Sequence, residues 1–180
     1  LQHFIYLSLP FNLTPGKHYK ANIKNYNGYM NNKDISFVFN DEVLRSESTH
    51  VNLYGYEPKD EKIALLSSWM GDGGGLKYPE NLYFRIVNLK NGDTEYKGQV
   101  KLRLRAEEAE YEIDGELFNH NKSDVYEMDF SRLQKRGTYK LVIDGIGCSF
   151  DFLINEKIWE NTTRLLMKGF FHQRAGIELG

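Results

Sequence analysis

Met70-Gly71-Asp72-Gly73-Gly74-Gly75 places one carboxylate in a glycine run, the kind of loop that can cradle a phosphate or carry a catalytic acid. A phosphate loop needs Gly-Lys-Ser/Thr to follow, and none does. Ala106–Glu116, AEEAEYEIDGE, offers the carboxylate oxygens that calcium takes, but it lacks the alternating ligand order of a loop site and reads instead as a solvated acidic face. His3, His18, His50, His120 and His172 are scattered, and no pair has metal-ligand spacing. Cys148 has no histidine near it in sequence and reads as a small core or edge residue. Tyr26 and Tyr29, among Asn25, Asn27, Asn31 and Asn32, could stack on sugar rings and bond their hydroxyls; the same composition also makes an ordinary turn. The residues themselves call for no catalytic centre, metal or cofactor.

The elements that position these residues are mainly strands. The chain has 180 residues, 41% hydrophobic and 14% aromatic, enough for a real core. The net charge is −2 and Lys and Arg form no basic run, which argues against nucleic acid. A single cysteine rules out an intrachain disulfide. No apolar run reaches the roughly 18 residues of a membrane span. Leu1–Ile5 opens in strand character without Met, so the natural start is expected to lie elsewhere.

Strand patterns run over Phe4–Leu9, His18–Lys24, Ile35–Asn40, Thr49–Tyr56, Lys62–Ser68, Leu82–Leu89, Gln99–Arg105, Val125–Ser131, Gly137–Asp144 and Ser149–Ile154. Thr14-Pro15-Gly16-Lys17 fits a type II turn and Asn91-Gly92 a hairpin. Residues 106–124 read as loop or weak edge strand. Many short strands separated by turns predict a β-sandwich. Its predicted core is Leu65, Phe84, Ile86, Leu102, Leu104, Phe130, Leu141, Ile143, Phe150 and Phe152. Tyr139 fits either a tyrosine corner or a half-buried strand position.

The chain closes on an amphipathic helix, expected over 156–175. Asn155 would cap it and Gly176 would stop it, with Ile158, Trp159, Leu165, Leu166, Phe170 and Phe171 at helical spacing. A bare apolar stripe is a liability, so this one either folds back on the sandwich or belongs to a partner outside the chain.

Tyr126, Asp129-Phe130-Ser131, Gly137-Thr138-Tyr139, Ser149, Phe152 and Ile154 lead directly into Phe170-Phe171-His172-Gln173-Arg174-Ala175-Gly176. This ordered series resembles glycoside hydrolase family 9, in which an immunoglobulin-like domain runs straight into the first helix of an (α/α)6 barrel. His50–Leu65 resembles that domain's opening strand, with Leu53 in place of the usual Gln. The resemblance implies a mainly β chain: an immunoglobulin-like β-sandwich with a C-terminal α-helix. It covers residues 48–180 and implies two parts there: 48–155, the sandwich, and 156–180, the first helix of a truncated catalytic domain. Residues 1–47 lie outside the resemblance and read, from their strand patterns, as part of a preceding β module.

The implied role is noncatalytic, bracing a barrel of the same polypeptide through Trp159, Leu166, Phe170 and Arg174. Family 9 enzymes invert, using two carboxylates about 6.5–9.5 Å apart. Both would lie beyond residue 180. The glycine run lacks a second Asp and precedes the helix, so it is expected to be a flexible loop. The parent would be a secreted, periplasmic or cell-surface enzyme acting on a β-glucan-type polysaccharide. The alternatives are a carbohydrate-binding module, for which Tyr26 and Tyr29 are the local candidates, and a surface spacer. Self-association through the terminal helix is a further expectation.

Overall fold

The computed structural model describes residues 6–24 and 33–174. In chain order the strands are β1 (His18–Ile23), β2 (Lys33–Val38), β3 (Thr49–His50), β4 (Ile63–Leu66), β5 (Tyr83–Asn88), β6 (Thr94–Gln99), β7 (Lys101–Leu104), β8 (Tyr111–Ile113), β9 (Glu116–Phe118), β10 (Val125–Asp129), β11 (Gly137–Ile143), β12 (Gly147–Cys148) and β13 (Phe152–Ile154). One helix, α1 (Ile158–His172), follows.

One sheet runs β3-β4-β10-β7; the other runs β12-β11-β5-β6, with β13 also pairing β11. The pairings are antiparallel. The inward faces meet in one apolar core: Ala64, Leu66, Tyr126 and Met128 from the first sheet, and Phe84, Ile86, Tyr139, Leu141 and Ile143 from the second. Tyr56, Phe130 and Phe152 interlock there, Tyr56 edge-on to the other two rings at 5.2 and 5.5 Å. Such contacts add to plain area burial. The mainly β sandwich with a C-terminal helix is the expected fold.

Tyr139 forms the corner. It is fully buried and its hydroxyl donates to the Lys135 carbonyl at 3.0 Å, tying the turn to the strand that follows. Burial pushes its phenol above the ordinary value of 10.0, and does the same to Tyr56. The unfolded chain ionises these tyrosines at their ordinary value while the folded chain still holds the protons. Their contribution is therefore intact below pH 10 and lost as pH rises through the higher folded values. Thermal melts are expected to give a steady midpoint from neutral pH to about pH 9 and a steep fall above about pH 10. Tyr139→Phe should start lower and fall less steeply.

Several expectations change. Leu102 lies on the inward face, opposite Tyr126, but β7 is the edge strand, so it stays 40% exposed. Phe150 points out, 49% exposed, because the strand breaks there: the Ser149 hydroxyl bonds the backbone of Leu141 and Phe150, and regular pairing resumes only at Phe152. The Arg45 guanidinium sits over the Phe150 ring at 4.3 Å. Leu65 and Leu104 are half-buried. The hairpin at Asn91-Gly92 returns through β6, and the chain then changes sheet at Val100 to begin β7. Tyr6–Leu9 forms no strand, and only Thr49–His50 of the Thr49–Tyr56 stretch does. Residues 106–124 contain the β8–β9 hairpin.

Pro15-Gly16 makes the turn before β1, with Gly16 at φ +80°. β1 and β2 form a separate two-stranded sheet. Residues after it lie along the second sheet: Arg45 pairs with Cys148 in a parallel bridge, and the buried Asp41 carboxylate accepts from Gly145 N–H at 3.1 Å.

Lys62 is fully buried, and its ammonium donates to the carbonyls of Pro58 at 2.8 Å, Asp60 at 2.7 Å and Glu57 at 3.3 Å. A buried charge persists only when its donors are met, and three carbonyls meet these. Burial still holds its pKa below the ordinary lysine value, against the pull of Asp60 and Asp129. The cage closes the 57–62 turn and so fixes where β4 begins.

Candidate docking surface

The root of α1 is built by Gly55-Tyr56. Tyr56 N–H donates to Leu153 O at 2.9 Å, and Asn155 N–H donates to Tyr56 O at 3.0 Å. The Tyr56 hydroxyl accepts from Asn52 N–H and donates to Ile63 O, so the tyrosine joins both sheets. Gly55 sits at φ +104°, where a β-carbon would lie 2.4 Å from Leu153 O and 2.9 Å from Ile158 Cδ1. Only glycine lets the helix start this close to the sheet. Ile158 is buried in the space so left.

Asn155 acts one step earlier than expected. Its Oδ1 accepts from Lys157 N–H at 2.8 Å in a turn that feeds the helix, and α1 begins at Ile158 rather than 156. Arg136 pairs with Glu156 at 2.5 Å, linking the tyrosine-corner turn to the same root. Glu160 lies in the first turn, where a carboxylate complements the helix dipole. At the far end Gln173 N–H reaches Gly169 O and Phe170 O. The expected stop, Gly176, lies outside the described residues.

Trp159, Leu166 and Phe170 recur at i, i+7 and i+11 and share one face, 46%, 57% and 65% exposed. Met167 and Arg174 flank it, and Leu165 and Phe171 lie farther round; all are exposed. Only Ile158 of the helix is buried. The fold-back on the sandwich does not occur: α1 is rooted at one end and leaves its apolar stripe open. Patches of this kind mark interaction sites.

The other predicted site residues fall elsewhere. Tyr26 and Tyr29 lie outside the described residues. The glycine run is a tight 3-10 turn over Gly71–Gly73. Cys148 is buried on β12 and burial pushes its thiol above the ordinary value, so it is a poor nucleophile at neutral pH. Among the described residues no three His, Cys, Asp or Glu side chains group as metal ligands, and no helix is long and apolar enough to cross a membrane. Sequence reasoning missed the Arg136–Glu156 pair and the Gly55–Ile158 contact. The glycine was visible in Asn52–Tyr56, but its spatial partner was not.

Residues 45–148 match the family described as the cellulase N-terminal ig-like domain. A 58-residue stretch is 36% identical to Endoglucanase D of Acetivibrio thermocellus, covering 32% of this chain and 9% of that protein. A metagenome-derived glycoside hydrolase family 9 endoglucanase has the same fold, with a TM-score of 0.56 and 21% identity over 73% of this chain and 22% of its own. A GH9 protein of Bacteroides ovatus gives a TM-score of 0.52 at 21% identity, covering 72% of this chain and 19% of its own. The chain thus spans less than a quarter of the length of each of these proteins. The family match takes in more than half of the chain and contains every strand of the two facing sheets except β13, so this chain belongs to the cellulase N-terminal immunoglobulin-like domain family.

Proposed function

We propose that the sandwich is the noncatalytic brace of an (α/α)6 glycanase barrel carried on the same polypeptide. In this reading residues 1–47 are part of a preceding β module, 48–155 the brace and 156–180 the barrel's first helix. The observation that carries it is the open stripe of Trp159, Leu166 and Phe170 on a helix fixed at its root by Gly55, Ile158 and the Arg136–Glu156 pair. A rigid root with a bare apolar face suits a covalently linked partner, because the linkage removes most of the entropic cost of association. Arg174, exposed after the last turn, would meet the barrel's polar rim. The parent would be a secreted inverting β-glycanase whose carboxylate pair lies in the barrel.

Two measurements test this. Reading the source gene beyond the codon for Gly180 should show a helical barrel with two closely spaced aspartates near its start; a different domain there overturns the brace. The purified chain should release no reducing sugar above blank from soluble cellulose, mixed-linkage glucan or chitosan fragments. Release well above blank would place the acid and base within these residues.

A further inference from the structure

Trp69 follows β4 on a backbone that is tied down on both sides. Ser67 N–H donates to Ser48 O at 3.0 Å, Leu76 N–H to Ser68 O at 2.9 Å and Met70 N–H to Gly74 O at 2.8 Å, and Trp69 itself bridges Gly75. Gly75 has no room for a side chain: a β-carbon there would lie 2.6 Å from Ser123 Cα. The glycine run therefore presses its returning strand onto Ser123 and fixes the backbone that carries the indole. That indole is 55% exposed.

Trp69 is also the shared wall of two concavities. One, of about 270 Å³, is lined by His50, Ser67, Ser68, Asn121 and Ser123. The other, a groove of about 1090 Å³, runs between the 6–13 segment and the Gly71–Gly73 turn, past Tyr6, Phe11, Asn12 and Asp72. His50 Nε2–H donates to Ser67 O at 3.3 Å, and in a neutral imidazole so bonded Nδ1 is an acceptor. The Ser67 and Ser123 hydroxyls bond each other at 2.8 Å and retain unused lone pairs. Among the described residues neither lining holds a Lys or Arg, and Asp72 is the only carboxylate in the two.

This chemistry selects a neutral ligand with both a flat C–H face and many hydroxyls. Phosphates and other anions find no cation here, and a basic peptide finds only one carboxylate. We infer that Trp69 is the stacking plate of a subsite for a neutral pyranose chain, with one ring in the His50–Ser67–Ser123 hollow and the next along the groove toward Tyr6 and Phe11. Aromatic faces supply the area and the hydroxyl, amide and imidazole groups the orientation. The subsite does not depend on the brace reading; a different domain after Gly180 leaves it unchanged.

Native gels containing hydroxyethylcellulose, barley mixed-linkage glucan, arabinoxylan or galactomannan test it. At least one should retard the chain relative to serum albumin. Trp69→Ala should weaken that binding about tenfold or more, Trp69→Phe less, and Trp159→Ala not at all. The chain has two tryptophans, so in Trp159→Phe the retained polysaccharide should quench the fluorescence of Trp69 alone. That reading needs no variant at Trp69 and stands even where Trp69→Ala fails to fold. Retardation by none of the four, retardation of a folded Trp69→Ala equal to wild type, or an unquenched Trp69 overturns the subsite.

Discussion

Replacing Gly55 with alanine is expected to cost more than about 3 kcal/mol of unfolding free energy and to loosen α1 from the sandwich. Two effects act together. The backbone at φ +104° lies where L side chains are strained, which alone costs roughly 1–3 kcal/mol. The new β-carbon would also meet Leu153 O at 2.4 Å and Ile158 Cδ1 at 2.9 Å. Ile158 can turn aside, but Leu153 O cannot retreat without losing the Tyr56 N–H it accepts. The bond that breaks is therefore one that places the helix root.

Gly92→Ala is the control. Gly92 has a similar positive φ of +77° with nothing within 4 Å of the added carbon, so only the backbone strain remains. Urea unfolding should separate the two variants by about 2 kcal/mol or more, and limited proteolysis should cut Gly55→Ala faster around residues 155–160. Equal cost for the two alanines would show that Gly55 serves backbone conformation alone and that the root contact carries no weight.

The core strands were legible because their inward residues alternate. Phe84 and Ile86, Leu141 and Ile143, and Phe152 and Ile154 each stand two apart, and all are buried. Leu102 shares that pattern and stays exposed, because period two reports a face but not whether another strand lies beyond it. The β8–β9 hairpin carried its turn signal in Asp114-Gly115, both at positive φ, but its strands are too short and acidic for hydrophobic periodicity to reveal them. Lys62 could not be foreseen: the carbonyls that cage it come from the turn it closes, and a surface lysine has the same sequence appearance. Trp69 was hidden likewise, since its importance rests on two hollows assembled from segments far apart in the chain. The stripe on α1 was plain from helical spacing. Whether something covers it is a tertiary matter that spacing does not contain.

The double variant Trp159→Ala with Phe170→Ala is expected to abolish self-association of the purified chain and leave the sandwich intact. Burying Trp159, Leu166 and Phe170 against a second copy contributes roughly 1.5–3 kcal/mol for each side chain fully removed from water. Association opposes this with at least about 4 kcal/mol of lost translational and rotational freedom. The difference is small and favourable, at most about 5 kcal/mol, so two copies should pair through α1 as a weak dimer, roughly millimolar. Fraying is the competing outcome, because a 15-residue helix is marginal alone in water. The buried Ile158, the Arg136–Glu156 pair and Glu160 in the first turn favour the intact helix. Sedimentation velocity over a concentration series should show the wild-type chain shifting toward dimer and the double variant remaining monomeric. The removed side chains are exposed in the single chain, so its unfolding transition should move by less than about 0.5 kcal/mol. A wild-type chain that stays monomeric at millimolar concentration would mean that the stripe does not hold a copy of itself. A double variant that unfolds altogether would mean that α1 is part of the sandwich core, and the stripe would then be no docking face at all.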